Sequence, residues 1–159
     1  MVLYDDLLIK GLGPYALAAA RLKAKELKIN NGVIVIRYSG FLDMKPNEGR
    51  MVYFPLLVGG SQVIPPESNP DGFTCDCLGV AVSKITAALY AYEKSDRKKF
   101  LSSDGDNEDN ILGRQNWGGC VITETGFGRA TIAICVSGGT EEQDVQCALA
   151  AQKAIEMFL

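Results

Sequence analysis

The chain contains no histidine among its 159 residues. Histidine is the usual general base at neutral pH and the commonest transition-metal ligand of proteins. Its absence excludes Ser-His-Asp and Cys-His catalysis within one chain, and it excludes a histidine-ligated zinc or haem site.

Long apolar runs and an excess of positive charge are also lacking. No stretch approaches the about 20 apolar residues of a transmembrane helix, and the net charge is −3. We therefore expect neither nucleic acid nor a membrane as partner. The N-terminal residues 1–6 are acidic where a signal peptide would be basic, which predicts an unexported, cytoplasmic protein.

Cysteine is present in an odd number, at positions 75, 77, 120, 135 and 147. In an unexported chain this pattern indicates reduced thiols, most of them acting as small apolar residues. Cys135, within an apolar strand, and Cys147, within the last helix, fit that role.

The composition is that of one globular domain spanning residues 1–159, with 47% hydrophobic and 22% charged residues. The elements follow the order helix, strand, strand, helix, strand, strand, helix. This order predicts an α+β domain, with an antiparallel sheet of about four to five strands covered by helices.

Local signals give the approximate bounds of these elements. Gly13-Pro14 opens the first helix, and the apolar run Val33 to Ile36 predicts an interior strand that pairs with a return strand from Met51 to Val58. A second helix is predicted from about Thr74 to Tyr92, its core stripe being Leu78, Val82, Ile85, Leu89 and Tyr92.

The C-terminal third carries the clearest pattern. Arg129 to Val136 is typical of a buried strand, and Gly138-Gly139 allows a turn into the last helix. Thr140 is the expected N-cap, with Gln143 completing a capping box. The acidic residues Glu141, Glu142 and Asp144 follow in the first turn, where the helix dipole favours negative charge.

These residues carry a family resemblance. Gly118-Gly119-x-x-Ile122, followed by Val136-Ser137-Gly138-Gly139-Thr140-x-x-Gln143-Asp144, resembles the GlcG/HbpS-like family of haem-degrading or haem-binding domains, which includes the PduO C-terminal domain. Upstream the likeness is one of layout. Thr86-Ala87-Ala88 stands where the family often has Lys-Ala-x-Thr-Ala, with Ser83 at the position of that lysine and Lys84 displaced by one. The family's Arg-Met-Asp-Gly-Ala segment is absent.

The resemblance implies a profilin-like arrangement and a homo-oligomer. It also implies a small-molecule pocket between the second helix, the proline-rich loop from Gly59 to Gly72 and the strand beginning at Gly118. The family label suggests haem as cofactor. Without histidine, an axial ligand would have to be Cys, Met or Tyr, or a weaker oxygen donor, so the sequence disfavours haem and leaves the cofactor unknown.

Two groups of residues are candidates for ligand binding. Cys75-Asp76-Cys77 stands before the second helix, where the dipole lowers a thiol pKa, although Asp76 opposes this effect and is equally suited to N-capping. Trp117 with Gly118-Gly119-Cys120 suits a backbone approach to a ligand against a flat aromatic wall, although glycines at a strand start commonly serve turns. We predict no catalytic and no metal-binding residues.

The sequence therefore favours a non-catalytic, oligomeric small-ligand-binding domain. An assembly or scaffold protein without a ligand is the alternative from a different class. A cysteine-dependent enzyme is the less favoured third, and it would need Cys75, Cys77 or Cys120 as nucleophile with a carboxylate or Lys84 as base. A polar-lined pocket would favour ligand binding, whereas a closed interior with an apolar patch on a helix face would favour assembly.

Overall fold

The computed structural model describes residues 12–29, 31–39, 49–57, 63–64, 75–93, 99–101, 119–124 and 131–156. The helices are α1 (Gly13–Glu26), α2 (Cys77–Glu93) and α3 (Glu141–Glu156). The strands are β1 (Val33–Ser39), β2 (Gly49–Pro55), β3 (Val63–Ile64), β4 (Cys75–Asp76), β5 (Lys99–Leu101), β6 (Cys120–Glu124) and β7 (Thr131–Ser137).

Five strands form one antiparallel sheet in the order β2-β1-β7-β6-β5, and β3 pairs with β4 in a separate two-stranded ribbon. β7 lies at the centre of the large sheet. All seven of its residues are buried, as expected for a strand covered on both faces. The predicted α+β class is confirmed, and so is the antiparallel pairing of β1 with β2.

Helices cover both faces of the large sheet. One face presents Ile34, Ile36, Ile134 and Val136 to α1 and α3, whose contact is lined by the small residues Ala16, Ala20, Ala24, Cys147, Ala148 and Ala151. The opposite face presents Val33, Val35, Cys120, Ile122 and Cys135 to α2. Since alternate residues of a strand point to opposite faces, each central strand contributes to both cores.

The predicted helix N-terminus after β7 is confirmed in detail. The amide of Gln143 donates to the Thr140 hydroxyl at 3.3 Å, and the amide of Thr140 donates to the Gln143 side chain at 2.9 Å. This reciprocal pair is a complete capping box. The Gln143 side chain also donates to the Leu27 carbonyl at 3.3 Å, so the start of α3 lies beside the end of α1 and the two helices run antiparallel.

The structure corrects several predicted bounds. α2 begins at Cys77 rather than Thr74, because Cys75–Asp76 pairs with Val63–Ile64 as β4. The strand predicted to begin at Gly118 begins at Cys120. β7 is described from Thr131, and its predicted start at Arg129 lies outside the described residues. β5, which follows α2, has no counterpart in the predicted order of elements.

The buried face of α2 also differs from its predicted stripe. Ala81, Lys84 and Ala88 are buried together with Ile85, whereas Val82 is only half-buried. Among the described residues, no helix is long and apolar enough to cross a bilayer. The profilin-like arrangement stays a prediction.

Candidate functional site

A buried ion pair joins the helices on opposite faces of the sheet. The Lys84 ammonium of α2 donates to the Asp144 carboxylate of α3 at 3.0 Å, and to the Val136 carbonyl at the end of β7 at 3.2 Å. Lys84 and Asp144 are only 1% and 3% exposed. Charges this deeply buried are expected to be paired, and here each charge is the other's partner.

Lys84 is the only charged residue between positions 77 and 92. It lies on the buried face of α2, and its long side chain extends beside the start of β6 to the start of α3. Asp144 is fixed from its other side, because its second carboxylate oxygen accepts the Gly139 amide at 2.9 Å. The pair is therefore held by hydrogen bonds to the turn between β7 and α3.

Burial raises the pKa of Asp144 to about 6, although the Lys84 ammonium and the amides of Gly139 and Gly138 act in the opposite direction. Desolvation disfavours the charged form of a carboxylate, whereas nearby positive charge and N–H donors favour it. Perturbed carboxyl groups of this kind occur at functional sites and also in structural ion-pair networks. The raised pKa of Asp144 is thus compatible with a functional residue and with a structural ion pair.

Gly119 permits this close packing. Its φ is +114°, and a Cβ at that position would lie 2.7 Å from the Asp144 Cβ and 2.8 Å from the Val136 carbonyl oxygen. Only glycine fits such a conformation and such a space. Gly119 therefore makes a close backbone approach to Asp144, and the predicted approach of Gly118-Gly119-Cys120 to a ligand stays a prediction.

Cys120 and Cys135 lie opposite each other on β6 and β7, facing α2. Both side chains are fully buried. Burial raises the pKa of the Cys120 thiol well above its usual range, contact with the Cys135 thiol raises it further, and the nearby Lys84 charge opposes the change. Cys120 is therefore a neutral thiol near pH 7, which is a poor nucleophile.

The other predicted ligand-binding residues are described in part. Cys77 is the first residue of α2 and is fully buried. Cys75 and Asp76 form β4, immediately before that helix, but their side chains lie outside the described part of the chain. Trp117 and Gly118 also lie outside the described residues.

The topology brings these residues to one end of the sheet. α2 runs in the same direction as β6, because Lys84 lies beside Cys120 and the Tyr92 hydroxyl donates to the Glu124 carboxylate. The first turns of α2 therefore extend towards the end of the sheet at which β6 begins. Cys77 and Cys120 share this end with the Lys84–Asp144 pair, and β4 leads directly into it.

Two open grooves occur on the described surface. A groove of about 580 Å³ is lined by Thr140, Glu141, Glu142 and Val145 at the start of α3. Its two glutamates and its capped helix end make it unsuited to an anion. A second groove of about 540 Å³ runs between α1 and α3, with Leu22, Leu149 and Ala150 at its centre. Leu22 is 63% exposed and Leu149 is 41% exposed.

Sequence reasoning missed the Lys84–Asp144 pair, although a signal was present. Residues 77–92 contain one cation and no other charged side chain. When a helix of this composition packs on a sheet, that cation needs a buried acidic partner. Asp144 was explained by the helix dipole alone, which gave no reason to connect the two residues.

The residues that carry the family resemblance thus have structural roles in this fold. Thr140 and Gln143 cap α3, Gly119 admits Asp144, and Asp144 binds Lys84. Among the described residues, no cluster of three or more His, Cys, Asp or Glu side chains is arranged to hold a metal ion. No family model, curated protein or solved structure matches the chain, so membership of the GlcG/HbpS-like family stays a prediction.

Proposed function

We propose that this chain is a non-catalytic small-ligand-binding domain of the GlcG/HbpS-like type that acts as a homo-oligomer in the cytoplasm. One observation supports the ligand site above others: the start of α2, the start of β6 and the buried Lys84–Asp144 pair share one end of the sheet. The predicted residues Cys75, Asp76, Cys77, Gly119 and Cys120 come from these same segments. Trp117 and Gly118 immediately precede Gly119 in the chain.

The chemistry of this end favours an uncharged, largely apolar ligand. The charge of Lys84 is already matched by Asp144, and burial keeps the Cys120 thiol neutral. Charge-assisted recognition by these groups would first require the ion pair to be broken, at a cost of several kcal/mol. A neutral molecule packed against thiols and glycine backbone needs no such change.

Haem fits these groups poorly. Cysteine ligates haem iron as a thiolate, and the raised pKa of Cys120 opposes thiolate formation. The same argument disfavours Cys120 as the nucleophile of a cysteine-dependent enzyme. In support of a cytoplasmic location, the described cysteine side chains, at positions 77, 120, 135 and 147, are thiols and not disulfides.

Native mass spectrometry of the purified protein tests this proposal, followed by denaturation and identification of any released small molecule. We expect a stoichiometric uncharged ligand, lost from Trp117→Ala and retained by Tyr53→Ala, an aromatic control on β2 whose side chain is 53% exposed. Added haemin should leave the spectrum unchanged. A protein that carries no ligand, or that loses it equally in both variants, would contradict the proposal.

The assembly alternative is supported by the groove between α1 and α3. Its apolar centre and charged rim have the composition of a protein–protein interface. Because the helices run antiparallel, Glu26 lies at one end of the groove and Lys153 at the other. In a two-fold dimer formed through this groove, Glu26 of one copy would lie at the end of the partner's groove that carries Lys153, while keeping its own ion pair with Lys23 at 2.9 Å.

Sedimentation analysis of charge-reversal variants tests this interface. We expect Leu149→Glu to dissociate the wild-type oligomer, whereas Tyr53→Glu on β2 leaves it intact. Glu26→Lys and Lys153→Glu should each weaken association, and the double variant should restore it. A monomeric wild type, or an oligomer that Leu149→Glu leaves unchanged, would exclude this face as the interface.

A further inference from the structure

We propose that Cys120 and Cys135 form a reversible cross-strand disulfide when the cell is exposed to a peroxide, which makes the junction of β6 and β7 a redox modification site. The two residues are direct partners in the antiparallel register. The inference does not depend on the identity or existence of a bound ligand.

The backbone geometry suits such a bond. The Val136 amide donates to the Gly119 carbonyl at 2.9 Å, so Gly119 and Val136 form a hydrogen-bonded pair and the adjacent Cys120 and Cys135 form a non-hydrogen-bonded one. The Cα atoms of such a pair are about 4.5 Å apart. This separation lies within the about 4.4–6.8 Å that disulfides span.

The side chains are also arranged for the reaction. Both point to the α2 face, and the Cys120 thiol is in hydrogen-bonding contact with Cys135. Burial raises the pKa of the Cys120 thiol well above its usual range, and the nearby Lys84 charge offsets this change only in part, so the reactive thiolate is a minor form and we expect oxidation to be slow. Cys147 is separated from this pair, because it lies in the core on the opposite face of the sheet.

The chemistry balances with one peroxide molecule. The Cys120 thiolate attacks a peroxide oxygen, the O–O bond breaks, and the second oxygen leaves as water once protonated, which leaves a sulfenic acid on Cys120. The Cys135 thiol then attacks that sulfur, the S–S bond forms, and the hydroxyl leaves with the thiol proton as water. Two thiols are oxidised to a disulfide while hydrogen peroxide is reduced to two waters, and a dithiol reductant reverses the change.

Because both thiols are fully buried, we expect the pair to react slowly with peroxide. Oxidation requires a local opening that admits peroxide, and the proximity of Cys135 then allows its thiol to react with the sulfenic acid before further oxidation. Reducible disulfides within reducing compartments are typically of this transient, redox-sensing kind.

Peptide mapping of the full-length protein after hydrogen peroxide treatment tests the proposal. Cleavage at Arg129 separates Cys120 from Cys135, and cleavage at Glu141 or Glu142 separates Cys135 from Cys147. We expect one cross-linked peptide pair that contains Cys120 and Cys135 and disappears with dithiothreitol. Cys147→Ser should leave its yield unchanged, whereas Cys120→Ser and Cys135→Ser should abolish it.

If a serine variant fails to fold, the peptide map of the wild-type protein alone tests whether Cys120 and Cys135 become linked. Independent oxidation of the two cysteines to sulfinic acid would overturn the proposal. A disulfide to Cys75, Cys77 or Cys147, or thiols that stay reduced after prolonged treatment of the native protein, would overturn it as well.

Discussion

The Lys84 ammonium and the Asp144 carboxylate lie 3.0 Å apart although they belong to helices on opposite faces of the sheet. The contact lies beside the start of β6 and the end of β7, where Gly119 has no side chain to obstruct it. It ties together the two outer layers of the domain. Because both groups are removed from water, the pair is expected to matter for stability mainly when one partner is missing.

Loss of Lys84 should therefore destabilise the protein more than loss of Asp144. We expect Lys84→Met, which leaves the buried Asp144 carboxylate unpaired, to reduce the free energy of unfolding at pH 7 by about 3–5 kcal/mol. Asp144→Asn leaves Lys84 unpaired but also removes a carboxylate whose charged form burial disfavours, so we expect a smaller loss. The double variant should lose less than the sum of the single losses, because it buries no unmatched charge. Urea denaturation measures all four proteins, and additive losses would show that the residues do not interact.

Stability should depend on pH through Asp144. Its pKa is raised from 3.8 to about 6 in the folded protein, so the folded state binds the proton more tightly than the unfolded chain. The contribution is complete below pH 3.8 and is lost as the pH rises through about 6. Stability of the wild type should fall relative to Asp144→Asn across this window, by at most about 1.4 kcal/mol per pH unit.

Urea denaturation at several pH values between 4 and 7 measures this difference, and the Asp144 carboxyl carbon observed by NMR provides an independent titration. The two proteins share every other titratable group, so their other pH effects cancel. A wild type that gains stability relative to Asp144→Asn as the pH rises would contradict the assigned direction of the pKa change.

Alanine at Gly119 should be poorly tolerated. The substitution imposes a positive φ on an L-residue and forces its Cβ against Asp144 and the Val136 carbonyl, for which we expect a loss of about 2–4 kcal/mol. Gly79→Ala is the matched control, because Gly79 is exposed within α2 and alanine stabilises a helix interior by about 1 kcal/mol. Thermal unfolding of both variants should therefore show shifts of opposite sign.

The capping box at α3 predicts a smaller effect. Thr140→Ala removes the hydroxyl that accepts the Gln143 amide and should reduce stability by about 1 kcal/mol. Thr140→Ser retains an equivalent oxygen and should differ little from the wild type. An equal loss in both variants would indicate that the threonine methyl group, and not the cap, is responsible.

The fold was predictable where local chemistry is sufficient. Pro14 near the start of α1, the β-branched run of β1 and the Thr140–Gln143 box each act over a few residues, and the structure confirms all three. The pairing of β4 with β3 and the existence of β5 depend on distant partners. No local pattern contains that information, so the start of α2 was placed too early.

The candidate site was predictable only in part. Gly119 approaches the Asp144 side chain of the same protein closely, whereas its predicted approach to a ligand stays a prediction. The partners Lys84 and Asp144 are 60 residues apart, and only the sheet topology brings them together. Trp117 and Gly118 lie outside the described residues, as do the side chains of Cys75 and Asp76, so the roles of these residues stay predictions.

The central position of β7 has a consequence for the order in which the domain forms during synthesis. β7 separates the β1–β2 hairpin from the β5–β6 pair, yet it is the last of these five strands to leave the ribosome. Until it emerges, β1 has an unpaired edge and the two halves of this sheet are not joined through it. We expect the sheet to stay open until residues 131–137 have been synthesised, and the nascent chain to depend on chaperones up to that point.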